Sequence, residues 1–430
     1  MGVTIISGMQ WGDEGKGHIT HHLAQDAYMV ARANGGPNAG HTIHVDGQVF
    51  KTHQLPAGVL YPEVISLLGS GMVINLESLA TEIDTLGDRI VPLTPERLLI
   101  SFGAHLITPG HILLDGAMEQ QRGAAAIGTT KRGIGPVHAD KALHNGLRAE
   151  LLKYPNEFER QLRAHLIKVN LRLQYEFVVD ERVEVDQVVT QYLQLAERFS
   201  PHVVDGVRVV RTALSSGKHV VAEGAQGTLL DIDHGTYPYV SSGSAVTGGI
   251  MASLGLGVKD VYKVIGVVKA FSTRVGAGPF PTEVDGDVAK KLRGERDTAG
   301  SEYGTTTGRP RRIGWLDLVA LRHACAVNQP TSLVITKLDQ LSGIQPLQLC
   351  HHYKYQSQPI EGFPSDGKLL EQCQPTYWQM EGWDEDISDV RYFRDLPASA
   401  RDYLQVITEF TRTPIQMISV GPNQSNIFTK

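Results

Sequence analysis

The sequence is poor in several things, and each shortage excludes something. It holds only three cysteines in 430 residues, Cys325, Cys350 and Cys373. They are far apart, make no metal-ligand spacing, and suit a reducing compartment rather than a disulfide framework. No apolar run reaches the roughly 18 residues that a membrane helix needs. The N-terminus shows no positive stretch followed by an apolar one, so no export signal is expected. A cytoplasmic protein with no membrane partner is the expectation. Internal repeats and low-complexity linkers are missing too. Positive charge is not in excess: 40 Lys and Arg stand against 46 Asp and Glu, a net charge of −6. That disfavours a general nucleic-acid binder but allows a nucleotide, which needs only local cations. Hydrophobic residues at 41% and charged residues at 20% are ordinary for a globular chain, and the 17 histidines are scattered.

What is present begins with VTIISGMQWGDEGKGHIT (3–20). Val3 to Ser7 is a short β-branched and apolar run that reads as a buried strand. Gly8, Gly12, Gly15 and Gly17 follow, and then apolar residues near helical spacing. A strand, a glycine-rich turn and a helix start form a phosphate cradle, because glycine permits close backbone approach and the helix N-terminus favours an anion. The stretch is not a standard P-loop: Gly15-Lys16 is followed by Gly17, which has no hydroxyl for a metal ion. Asp13 could hold the metal instead, or act as a base beside the phosphate. The plainer alternative is a glycine-rich turn with a solvated Lys16.

Further along, 29–55 reads as short strands around a loop with Gly35, Gly36 and Gly40. Residues 64–75 read as a strand and turn, 76–87 as a helix ending at Gly87, and RLLISFGAHLIT (97–108) as a strand. Residues 117–146 read as a glycine-interrupted loop region, and about 147–215 as mostly helical. Apolar strands running into polar or glycine-rich ends recur at 218–227, 261–278, 332–339 and 414–421. The pattern predicts an α/β fold with a large, mainly parallel central sheet and helices on both faces. Ligands are then expected beyond the carboxyl ends of the strands. Length alone suits two or three domains; a single catalytic domain over 1–430, with a helical excursion, is the reading taken.

Several residues at those strand ends carry chemistry. His41, in Gly40-His41-Thr42, can give a proton or hydrogen bond to a developing phosphate oxyanion, or be a surface histidine. GTTKRGIGP (128–136) sets Thr129 and Thr130 beside two cations, as a phosphate site or a basic turn. Gln226 is an amide at a strand end, suited to reading a purine edge. Arg309, Arg311 and Arg312 form a cluster fit for carboxylates and phosphates, or a solvated basic turn. TKLD (336–339) looks like the guanine-reading N-K-x-D pattern of unrelated GTPases. A carboxylate at Asp339 accepts from guanine N1–H and the 2-amino group, whereas adenine offers neither donor, which favours GTP over ATP.

The run Gln10–Gly17 (Q-W-G-D-E-G-K-G) and the run Asn38–Thr42 (N-A-G-H-T) resemble the adenylosuccinate synthetase family. The blocks at 128–136, 223–242, 274–283, 305–317 and 336–339 extend the resemblance along the whole chain. It implies GTP-dependent ligation of L-aspartate to IMP, giving adenylosuccinate, GDP and phosphate through 6-phosphoryl-IMP. It also implies one Mg²⁺ per subunit and a homodimer. Asp13 matches the family's general base and His41 its general acid, with Lys16 and Gln226 in the catalytic set. Asp13 and the Gly40 carbonyl match the magnesium ligands. For GTP the resemblance implies Gly12 to His18 (Gly12, Asp13, Glu14, Gly15, Lys16, Gly17, His18) and Gly40, His41 and Thr42. Arg311, Lys337, Leu338 and Asp339, with backbone from Ser419, Val420 and Gly421, complete that set. For IMP it implies Asp13, Lys16, Asn38, Ala39, Gly40, His41, Thr130, Gln226, Ser241 and Arg309, and His144 as well. For aspartate it implies Thr305, Thr306, Thr307, Gly308, Arg309 and Arg311.

The sequence also departs from the family. His18 stands where the family commonly has lysine, and Ser241 where it usually has threonine. His144 replaces an arginine that reaches the partner subunit's substrate phosphate, and Gln424 replaces a later arginine. These departures keep open a divergent paralogue that uses another 6-oxopurine nucleotide, such as dGMP. A nucleotide-binding regulator without catalysis is disfavoured by the joint presence of Asp13, Lys16 and His41.

Overall fold

The computed structural model describes residues 2–45, 47–296, 298, 300–304 and 308–430. An 11-stranded sheet runs through its centre. From one edge the order is Ile427–Thr429, Ile415–Ser419, Ser332–Thr336, Val261–Lys269, Val3–Gly8, Val220–Glu223, Met29–Gly35, Ile65–Asn75, Leu98–Ser101 and Val203–Val204. His105–Ile107 lies beside the second half of Ile65–Asn75. Every pairing is parallel except that of Ile415–Ser419 with Ile427–Thr429.

Strand periodicity shows why helices cover both faces. Val3, Ile5, Ala31 and Ala222 join one cluster with Val210 and Ala213 of helix Gly206–Ser215 and Ile250 and Leu254 of helix Thr247–Leu254. Their sequence neighbours Ile6, Val30 and Val221 join the opposite cluster with Ile19 and Ala24 of helix Lys16–Ala24. Strands buried on both faces need continuous apolar runs rather than alternation, as Val3–Gly8 has. The helical stretch shares a core with the sheet. Phe158, Leu162 and Leu166 of helix Pro155–Tyr175, and Val188 and Tyr192 of helix Val185–Phe199, pack with Leu68, Ile74, Leu98 and Ile100.

Local readings differ from the structure in places, each for a physical reason. Ile65–Asn75 is one continuous strand rather than a strand and turn. Its glycines admit helix Thr247–Leu254: a Cβ at Gly69 would lie 2.7 Å from Leu254 Cδ2, and Ser253 Oγ accepts the Gly71 N–H at 2.8 Å. The region 117–146 is not a loop throughout. It holds the end of helix Pro109–Arg122 and helix Ile134–Ala142. Thr108 caps the first with a capping box to His111, which fixes the start despite Gly110 and Gly116. The stretches 97–108 and 261–278 each break into two strands. A second, four-stranded sheet built on Leu347–Tyr355 was not foreseen.

Candidate active site

The carboxyl ends of the central strands open on a cleft of about 1420 Å³. Gly8 leads into the glycine-rich turn, where Gly12 has φ 81° and Gly15 φ 90°. Asp13 itself sits at φ 59°, a conformation that costs a non-glycine residue and tends to mark functional loops. Glu14 holds the turn from beneath. Its buried Oε1 accepts the N–H groups of Gln10 and Gly12, both at 3.0 Å, and its Oε2 pairs with Lys16 Nζ. Thr336 Oγ1 donates to Glu14 O at 2.5 Å, which pins the turn to a neighbouring strand end. Helix Lys16–Ala24 thus starts at the cleft, with no acidic side chain in its first turn to compete for an anion.

His41 opens strand His41–Val45 and packs against Gly17. Its Nε2 lies 3.2 Å from Glu223 Oε1, at the end of strand Val220–Glu223. Burial first, then the charges of Arg32 and Lys16, hold the imidazole well below its ordinary range, so it is neutral at neutral pH. Burial pushes the Glu223 carboxyl up, while Arg32 and the Ala57 N–H pull it back. Gln226, at φ 60°, lines the cleft beside Asn34, whose Nδ2 donates to Gln226 Oε1 at 3.3 Å.

The opposite wall brings Thr130 and Ser241 to the cleft. The loop before Thr130 is held by Glu119, whose Oε1 accepts the N–H groups of Gly128 at 2.5 Å and Thr129 at 3.1 Å. At the far end, Asp339 shares the rim with Ser419 and Gly421. Its Oδ2 accepts from Gln340 Nε2 at 2.8 Å, while its buried Oδ1 has no hydrogen-bond partner among the described residues. Burial raises this carboxyl. An unused acceptor on a cleft-lining residue is what a ligand N–H would need.

Arg311 links these parts. Its Nε lies 2.9 Å from Asp13 Oδ2, and its Nη1 lies 2.5 Å from the buried Glu302 Oε2. Lys269 and Lys337 reach the same Glu302 carboxylate.

The cleft therefore gathers Gly12, Asp13, Gly15, Lys16, Gly17 and His18 from the first block and Asn38, Ala39, Gly40, His41 and Thr42 from the second. Gly308, Lys337, Asp339, Ser419 and Gly421 line it as well. Glu14, Leu338 and Val420 are buried and Arg309 is exposed; none of the four lines the cleft. Thr305, Thr306 and Thr307 lie outside the described residues. His18 is neutral rather than a lysine-like cation. Burial, and then His22, His21 and His44, lower it to about 3. His144 is exposed at φ 60°, away from the cleft, in a second recess of about 470 Å³ with Lys141 and Arg148. Gln424 Nε2 donates to Tyr61 Oη at 2.5 Å and does not line the cleft. Sequence reasoning missed Glu223, Glu302 and Lys269. For Glu223 and Lys269 the available signal was a charge closing an apolar run, as in VVAE and VIGVVK, since a buried charge needs a partner; Glu302, within Gly300-Ser301-Glu302-Tyr303, carried no such signal.

The adenylosuccinate synthetase family model matches residues 5–428. Curated adenylosuccinate synthetases from Brevibacillus brevis and Moorella thermoacetica are 45% and 46% identical, each over 99% of this chain and 97% and 98% of their own. A solved structure, the fully ligated adenylosuccinate synthetase from Plasmodium falciparum, is 39% identical with a TM-score of 0.93 over 100% of both chains. The cyanophage S-2L succinoaminodeoxyadenylate synthetase, solved with dGMP and dATP, is 21% identical with a TM-score of 0.61 over 100% of this chain and 95% of that one, a likeness of fold alone. By its sequence from end to end, and by a fold that matches a ligated member, this chain belongs to the adenylosuccinate synthetase family, ligases that form a carbon–nitrogen bond.

Proposed function

We propose that Asp13, Lys16, His41 and Gln226 carry the ligation of IMP to L-aspartate in this cleft, driven by GTP. The observation that carries the reading is that these four side chains and Asp339, from separate stretches of sequence, line one cleft. Asp13 is 31% exposed, lines the cleft and is oriented by Arg311 Nε at 2.9 Å, so its carboxylate is placed where a substrate proton can reach it. It removes the N1 proton of IMP as the 6-oxygen attacks the γ-phosphorus of GTP, giving 6-phosphoryl-IMP and GDP. Lys16, at the helix start, stabilises the charge that develops on the phosphate. His41 enters neutral. A polyanion beside it raises its proton affinity, so it can donate to the phosphate as charge builds. Gln226 fixes the purine by its amide. The aspartate amine then attacks C6, the C–N bond forms, and phosphate leaves from C6.

The cleft-lining Asp13 carboxylate and Gly40 carbonyl are hard oxygen donors that fit Mg²⁺. Bound there, the ion would supply charge neutralisation across the phosphates. The unpartnered Oδ1 of Asp339 supports guanine as the base read. Identity of 45–46% to curated adenylosuccinate synthetases, against 21% to the enzyme solved with dGMP, supports IMP over another 6-oxopurine as acceptor.

The chain is further read as one catalytic unit over 1–430, because the cleft draws on residues from Trp11 to Pro422. It is read as a homodimer in the cytoplasm. His144 lines a separate recess and not its own cleft, which is consistent with the partner-facing place the resemblance gives that position. Among the described residues no helix is long and apolar enough to cross a membrane. The test is incubation with IMP, L-aspartate and GTP while following the near-UV change of the purine. No product from well-folded protein defeats the reading. A nucleotide panel at equal concentration, with dGMP beside IMP, decides the acceptor.

A further inference from the structure

Behind the wall of the cleft one carboxylate holds three cations. Glu302 is fully buried. Its Oε1 lies 2.5 Å from Lys337 Nζ and 2.9 Å from Lys269 Nζ, and its Oε2 lies 2.5 Å from Arg311 Nη1. Lys337 and Arg311 line the cleft; Glu302 and Lys269 do not. Lys337 directly follows strand Ser332–Thr336 and stands two residues before Asp339. Arg311 reaches the other way, to Asp13 at 2.9 Å. The chain around Glu302 is tied down by its backbone too. Its N–H donates to Arg293 O at 2.7 Å, its O accepts the Arg311 N–H at 3.0 Å, and Gly300 O accepts from Lys337 Nζ at 2.8 Å.

The charge of Lys337 is thus committed to the protein. The resemblance assigned this lysine to the guanine base, yet its ammonium points back to Glu302 and Gly300. A buried carboxylate is costly alone. Burial would raise it, but Lys269, Lys337 and Arg311 together hold it below the usual carboxylate range. Three buried or half-buried cations near one another would repel without it.

We propose that Glu302 is a positioning residue: it fixes Lys337 and Arg311 in one arrangement, so that the guanine-reading strand end and the Asp13 end of the cleft are held as one piece. This rests on the GTP reading given above. Each oxygen of the carboxylate faces a different end of the site, so an ordered Lys337 and an ordered Arg311 depend on the same group.

The test is Glu302→Gln, which keeps shape and removes charge. Lys269, already lowered to about 7 by burial, sheds its proton when the carboxylate is gone, so the variant is expected to fold. The expected result is a KM for GTP raised about tenfold or more, as for loss of a buried charged contact, together with a lower kcat because Arg311 no longer steadies Asp13, with the KM for IMP within about threefold and the thermal midpoint within a few degrees. Glu302→Asp keeps the charge one methylene short and should fall between the two. If Glu302→Gln does not fold, the pair Glu302→Gln with Lys269→Met removes both charges together and should show the same split. An unchanged KM for GTP overturns the proposal. So does a rise of both KM values in step with a lower midpoint, which marks a merely structural group. Wild-type protein without GTP-dependent turnover would sink the GTP reading itself, a distinct result.

Discussion

Gly17→Ala should weaken catalysis about a hundredfold while leaving the fold nearly intact. A Cβ built on Gly17 lies 2.1 Å from His41 Nδ1, 2.6 Å from Cγ and 2.7 Å from Cβ. Ordinary contact starts near 3.4 Å, so the imidazole must retreat by roughly 1.3 Å. It is boxed in: His41 is buried, and Glu223 stands 3.2 Å behind its Nε2. Overpacking of this kind costs about 1–3 kcal/mol, and the gain of alanine over glycine in a helix returns about 1 kcal/mol. The net change in stability is about 0–2 kcal/mol. The chemical step is far more sensitive. A catalytic group misplaced by about 1 Å loses on the order of a hundredfold. The assay is kcat for phosphoryl transfer to IMP, beside a thermal unfolding curve. We expect kcat down about a hundredfold with the midpoint lowered by only a few degrees. A second arm uses His41→Ala. With the ring already gone, adding Gly17→Ala should lower kcat no further. A kcat for Gly17→Ala within about threefold of wild type, or additive losses in the double variant, would refute the reasoning.

Other expectations follow from single groups. Asp339→Asn replaces a two-acceptor carboxylate by an amide that accepts on one side only, so the KM for GTP should rise about 10- to 100-fold, while xanthosine triphosphate, whose C2 carries oxygen, should gain; unaltered GTP preference would contradict the guanine reading. Glu82→Ala deletes a buried carboxylate that accepts the N–H groups of His53 at 2.8 Å, Gln54 at 2.9 Å and Leu55 at 3.1 Å. Leaving those donors unpaired should cost about 3 kcal/mol in urea unfolding, and an unchanged midpoint would tell against it. Stability should also fall on acidification. His18 and His165 are lowered to about 3, and His138 to about 4, chiefly by burial, from an ordinary value of 6.5. Such bases take up a proton on unfolding, so their contribution is full above pH 6.5 and shrinks as pH drops toward 4. Urea midpoints at pH 7 and pH 5.5 test the sign, and a higher midpoint at pH 5.5 would reverse it.

Much of this protein could be read before any coordinates. Strands buried on both faces are largely apolar, so Val3–Gly8 and Ser332–Thr336 announce themselves, and with them a mainly parallel sheet. That the glycine-rich turn, Asp13 and Lys16 would lie at a cleft was legible from a strand, four close glycines and a helix start, whereas His41 was added to them by the family resemblance. Glycines misled where they served packing, as at Gly69 and Gly71, which make room for a helix from far along the chain. What only the tertiary structure decided is which charges face one another. Glu223 came to lie behind His41, and Glu302 came to bind Lys269, Arg311 and Lys337, through pairings of strand ends distant in sequence. Sequence reports the type of a side chain. Its partner, and with it the charge state of His18 or the commitment of Lys337, is fixed only when burial removes water and leaves the neighbours supplied by the fold.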